Sequence, residues 1–166
     1  ADAVGDAFMS RHCRVWLATA LVWERGLADG ADAITRTVTE EARATGERML
    51  TEFGLVVDSF SLAHQGKVAA ALARADEAHE TSMGMGGFHE DTVYALSAYA
   101  ALAAGDGADA KAACESAIAH TVPNRLLYVR GITPMTEALL ACGELAAARR
   151  WALHHGDRRA GAPRAP

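Results

Sequence analysis

Apolar residues recur every three or four positions along almost the whole chain, and the interruptions fall at glycines. That period is the mark of amphipathic helices separated by turns. It predicts helices over about 8–26, 31–46, 47–64, 67–83, 89–104, 108–121, 125–142 and 144–155. They pair into hairpins at about 8–46, 47–83, 89–121 and 125–155, with turns containing Gly30, Gly66, Gly105 and Gly143. The turn glycines are spaced by 36, 39 and 38 residues, a period that signals stacked structural repeats. The expected fold is all-α: an α-solenoid of about four helical hairpins over residues 1–155, with residues 156–166 a basic, disordered tail.

The repeat extends to individual side chains. Five, nine and twelve residues after Gly66 lie Ala71, Ala75 and Ala78, and the same offsets from Gly105 give Ala110, Cys114 and Ala117. From Gly143 they give Ala148, Ala152 and His155, and from Gly30 they give Thr35, Thr39 and Ala42. Steps of four and three keep such residues on one helix face. Small side chains there let the second helix of a hairpin approach the first closely. Seven residues before three of the turns sit Ser59, Ala98 and Thr136, again small, and eleven before them the bulkier Leu55, Tyr94 and Ile132.

This pattern resembles the tetratricopeptide repeat family, over about residues 10–155. The segments AYAALAAGDGADAKAACESAIAH and PMTEALLACGELAAARRW further resemble the repeat region of large actinobacterial LuxR-type, MalT-like regulators. The resemblance implies tetratricopeptide-like hairpins, found in that family between an NTPase or cyclase module and a helix-turn-helix. The tail ALHHGDRRAGAPRAP reads as neither repeat nor DNA reader. The chain begins on Ala1 rather than Met, which suits either a processed protein or a piece of a longer one.

Composition narrows the partners. Half of the residues are apolar (51%), with Ala dominant and aromatics only 6%, as close-packed helices require. Net charge is −5. The last eighteen residues carry five Arg and one Asp, so they sum to +4 and leave the rest of the chain at −9. An acidic body argues against direct nucleic-acid contact, because phosphate attraction supplies most such affinity. The longest apolar stretches, Val15–Trp23 and Tyr94–Ala104, fall short of the ~18 residues a membrane span needs, and a cytoplasmic location is expected. Cys13, Cys114 and Cys142 form no CxxC pair and read as buried, reduced thiols.

No catalytic set emerges. Seven histidines occur without HExxH or zinc-ligand spacing. The glycine-rich SMGMGGFHED, residues 82–91, has no Lys and no strand before it to make a phosphate cradle. Neither enzyme activity nor a cofactor or metal is expected. If the hairpins stack, the first helix of each lines a concave groove, where Phe53, Val56, Phe60, His64, Tyr99, Arg130 and Glu137 fall. Aromatic anchors among a few charges suit a protein or peptide partner or a small effector. Phe60 and Tyr99 could equally pack between neighbouring hairpins. The expected function is a sensing segment of a LuxR-type transcriptional regulator, the alternative being an autonomous scaffold that docks a peptide in trans. Leu145, Trp151 and Leu153 on the terminal hairpin offer a route to self-association.

Overall fold

A computed structural model of the chain describes residues 5–25, 28–85, 90–119, 136–150 and 152. Among these residues every regular element is a helix. The long helices are α1 (Ala7–Arg25), α2 (Ala28–Thr45), α3 (Arg48–His64), α4 (Val68–Met83), α5 (Glu90–Ala103) and α6 (Gly107–Ala119). Shorter helical runs follow at 136–141 (α7) and 145–150 (α8). The six long helices lie within a few residues of their expected places. The early part of the helix expected at 125–142 and the end of that expected at 144–155 lie outside the described residues.

Four helices close in the same way. Gly46, Gly66, Gly105 and Gly143 adopt φ of 73°, 71°, 79° and 78°, the left-handed region that costs another L-residue about 1–2 kcal/mol. The Gly66 amide donates to the Ala63 carbonyl and the Lys67 amide to Leu62. Gly105 and Asp106 do the same to Leu102 and Ala101, as do Gly46 with Glu47 and Gly143 with Glu144 at their own helix ends. These paired bonds are the Schellman closure, which satisfies carbonyls a helix end leaves open. One expected turn is corrected: Gly30 lies inside α2, where a glycine in the first turn is tolerated. Among the described residues, the left-handed glycine that closes α2 is Gly46, between α2 and α3.

α3 is the structural centre. Of its 17 residues, the twelve at 50–57, 59–61 and 63 are buried. It packs on α2 and α4, its neighbours in the chain, and also on α1 and α5. A helix covered on all sides must be apolar or internally satisfied all round; α3 is largely apolar, and buried polar side chains such as Ser59 and Ser61 find partners. Phe53, Leu55, Val56, Val57 and Phe60 enter one core with Val15, Val22, Val38 and Leu96. The buried Ser59 hydroxyl donates to the Ala71 carbonyl of α4 at 2.8 Å.

The small-residue stripes make this burial possible. Ala71, Ala78, Ala110, Cys114, Ala117, Thr35 and Ala42 are all fully buried, and Ala75, Thr39 and Ala148 nearly so. At the tightest point a Cβ built on Gly54 would collide with the Thr39 hydroxyl, so α2 and α3 meet with almost no side chain between them.

Polar bonds tie the outer helices to this centre. Asp32 of α2 accepts from Ser61 and, at 2.8 Å, from the Gln65 amide. Asp58 of α3 accepts from Arg74 of α4 at 3.0 Å. Burial raises the Asp58 carboxyl above its ordinary range, and Arg74 opposes that shift. Arg11 of α1 bonds both carboxylate oxygens of Glu47, and Arg14 both of Glu41. The Arg11 bond holds the Glu47 carboxyl below the usual carboxylate value.

Gly54→Ala separates two opposed effects. Helix propensity alone would stabilise the variant by about 1 kcal/mol. The close approach to Thr39 predicts instead a loss of roughly 1–3 kcal/mol from overpacking, read as a lower urea midpoint at unchanged far-UV helicity. A neutral or raised midpoint would show that α2 and α3 do not meet there.

Candidate partner-binding face

Among the described residues two groups of aromatic side chains are joined by α3, and a separate pair, His79 of α4 and Tyr94 of α5, meets at 5.0 Å. Phe53 and Phe60 are seven residues apart, so they share one face of α3 about two turns from each other, and His64 follows one turn further on. At the first group, Phe53 meets the Trp16 ring of α1 edge-on (centroids 5.4 Å, 79°) and His12 at 6.4 Å. Phe8 stacks on His12 at 5.9 Å. The Trp16 indole N–H donates to His12 Nε2 at 3.0 Å.

The second group lies at the C-terminal end of α3. Phe60 meets His64 at 4.4 Å and Tyr99 of α5 at 4.9 Å, and His64 stacks on Tyr99 at 5.2 Å and 18°. His64 Nδ1 lies 2.9 Å from the Phe60 carbonyl oxygen. A carbonyl can only accept, so Nδ1 carries the proton, and in the neutral ring Nε2 is the acceptor. The Tyr99 hydroxyl sits 3.4 Å from that Nε2 and is oriented to donate to it. Burial raises the Tyr99 phenol above its ordinary value, and the negative charge of Glu137 on α7 adds to the shift.

The residues expected in the groove therefore separate. His64 is exposed, Tyr99 half-buried and Glu137 exposed. Phe60 touches His64 and Tyr99, and the field of Glu137 reaches Tyr99. Phe53, Val56 and Phe60 are only 2–3% exposed and belong to the core. The physical reason is that α1 and α5 cover α3 from both sides, leaving no open groove face at these three positions. Arg130 lies outside the described residues.

Two accessible rings were missed: Phe8 and Trp16, 42% and 43% exposed. Their spacing with His12 at positions 8, 12 and 16 is the signal that marks a ring ridge on one helix face.

Elsewhere the chemistry is sparse. Among the described residues no group of three or more His, Cys, Asp or Glu side chains could hold a metal ion. The thiols divide rather than being uniformly buried: Cys13 is exposed, Cys142 half-buried and Cys114 buried. Burial is the main cause that pushes the Cys114 thiol up to about 12, which keeps it protonated and unreactive at neutral pH. A cleft of about 370 Å³ is lined by Arg43, Gly46, Arg48, Thr51, Glu80 and Thr81. Arg43 there is paired with Glu77. No described helix is long and apolar enough to cross a membrane. Leu145 on α8 is exposed; the side chains of Trp151 and Leu153 lie outside the described residues.

The chain is 36% identical over 155 residues, 92% of its length, to a protein named as an HTH-type transcriptional regulator in Mycobacterium bovis. It has the same identity and coverage with proteins so named in two strains of Mycobacterium tuberculosis. The matched segment spans 17% of the length of each relative. No family model matches the chain, and no solved structure matches it.

The Tyr99–Glu137 approach can be read by titration. The phenol absorbance that disappears in Tyr99→Phe should titrate above the ordinary tyrosine value of about 10. Glu137→Gln should lower that midpoint only partway, because burial is the larger cause. An unchanged midpoint in Glu137→Gln would separate α7 from the face.

Proposed function

We propose that the chain is a non-catalytic helical-repeat module that senses a partner or effector within a LuxR-type, MalT-like transcriptional regulator. In this reading its hairpins are tetratricopeptide-like repeats stacked as an α-solenoid over residues 1–155. The hairpin order, the repeated glycine closures and the buried small-residue stripes all support it. The regulatory part of the reading is supported by the names of the Mycobacterium relatives.

The observation that carries the binding role is the ring cluster at the end of α3. Buried Phe60 backs exposed His64 and half-buried Tyr99, with Glu137 near enough to act on the phenol. Apolar ring bodies with polar tips are what a recognition surface offers a peptide or a small effector. The cluster joins α3 to α5, and Glu137 brings α7 to it. A ligand seated there would therefore favour one angle between successive hairpins. Such a bias moves a two-state equilibrium only by the difference in affinity for the two states. The acidic body leaves DNA reading to another part of the polypeptide.

His64→Ala combined with Tyr99→Ala tests the role without emptying the core, since neither side chain is fully buried. Introduced into the native polypeptide in its own cells, the double variant should alter the regulated transcripts as removal of residues 1–155 does, at unchanged protein abundance. A transcript profile indistinguishable from wild type would remove this face from the regulatory function.

A further inference from the structure

The first helices of successive hairpins share one pattern of burial. A shift of 37 residues sets Glu52, Leu55, Val56 and Ser59 of α3 on Val15, Ala18, Thr19 and Val22 of α1, and all are buried. A shift of 39 in the other direction sets Val56 and Ser59 on Ala95 and Ala98 of α5, again buried. The same shifts align Phe60 with Trp23 and Tyr99 in the sequence.

On α3 and α5 a second stripe is covered by the hairpin before. Gly54 and Val57 of α3 are buried. Gly54 lies against Thr39 of α2, and Ser61, one turn beyond Val57, bonds Asp32 of the same helix. The equivalents of Gly54 and Val57 on α5, Val93 and Leu96, are buried too. They share a core with Ala78 of α4, and Ala100, one turn on, clusters with Ala71. In both cases the covering helix is the second of the preceding hairpin, and it presents its stripe of small residues.

On α1 the equivalent positions are Leu17 and Ala20, with Cys13 one turn earlier. Leu17 is 52% exposed, Cys13 is exposed and Ala20 is half-buried. Among the described residues α1 packs on α2 and α3, and none takes the place on Leu17 that α2 takes on Gly54. Phe8, Met9 and Trp16 extend the open apolar surface. Arg11 and Arg14 beside it are held against Glu47 and Glu41.

We propose that this stripe of α1 is the docking site for a further helical hairpin of the same polypeptide, encoded ahead of Ala1. The proposal rests on the solenoid reading above. The second helix of that hairpin lies on Cys13, Leu17 and Ala20, and it carries small residues stepping by four and three, as Thr35, Thr39 and Ala42 do on α2. It stands farther from α1 than α2 does from α3, because Leu17 fills the place of Gly54.

The exposed area favours a covalently joined occupant over a separate one. At their observed exposures, Phe8, Met9, Trp16 and Leu17 offer roughly 350 Å². A stable separate partner takes about 800 Å². A hairpin on a short linker is held at roughly millimolar effective concentration, so a smaller contact keeps it in place. The Mycobacterium relatives have length to hold such a hairpin, since the matched segment spans 17% of each.

Cysteine labelling of the folded native polypeptide tests this, with Ala69→Cys, at an exposed position of α4, as an open reference. Maleimide should modify Cys13 at least about tenfold more slowly than the reference, because the site opens only by local undocking. Leu17→Arg should bring Cys13 to the reference rate at wild-type helicity. Benzoylphenylalanine in place of Leu17, irradiated in a mixture of isotopically labelled and unlabelled protein, should crosslink within one molecule to residues ahead of Ala1. Cys13 reacting as fast as the reference overturns the proposal, as does protection that survives Leu17→Arg. Crosslinks confined to residues 1–166, or made to a second copy or a different protein, overturn it too, as does a native polypeptide with no residues ahead of Ala1. The sensing role is read separately by the His64 and Tyr99 variants. Failure of the solenoid reading itself would show as a neutral or raised urea midpoint in Gly54→Ala.

Discussion

The burial of α3 on all sides is the constraint on which the rest of the structure depends. A helix in contact with four others can have no free polar face, and each contact needs room. Gly54 supplies that room toward α2, and Ala71, the acceptor of the Ser59 hydroxyl, supplies it toward α4. Polar residues on α3 are met by partners on its neighbours, as Ser61 is by Asp32 and Asp58 by Arg74. The glycine closures at Gly46 and Gly66 then set where α3 begins and ends, and so which of its rings reach the surface.

That geometry explains why the binding face lies at the end of α3 rather than along it. In mid-helix, Phe53, Val56 and Phe60 are consumed by the core. Only one turn beyond Phe60, where α3 stops, does a side chain on this face reach solvent, and it is His64. Tyr99 joins it because α5 packs alongside α3. The core thus supports the face directly: Phe60 is at once a buried anchor and the backing for His64 and Tyr99. A partner binding there would press on the packing of successive hairpins, which is how a non-catalytic module can report occupancy.

Much of this was legible in the residue pattern, and the failures have physical causes. The offsets after Gly66 and Gly105 located residues that are buried, because a stripe of small side chains in a helix has few other uses than close packing. The same rule placed Thr35, Thr39 and Ala42 correctly on α2, yet counting from Gly30 put a turn inside that helix. Gly46, left-handed at the end of α2, stands between hairpins, where a period counted within hairpins does not look. The groove residues misled for another reason. Helical period shows that Phe53, Val56, Phe60 and His64 lie near one another on a helix, but not that neighbouring helices cover the first three. The run FGLVVDSF, apolar nearly all round the helix, carried that information.

Native-state hydrogen exchange tests the central claim most directly. If α3 is the centre that the other helices cover, the amides between Leu50 and Ala63 should exchange last, at the rate set by global unfolding. Those of α1 and α6 should open at lower free energy. If the α3 amides exchanged as fast as those of α1, α3 would not be the common core, and the face at its end would lose its support.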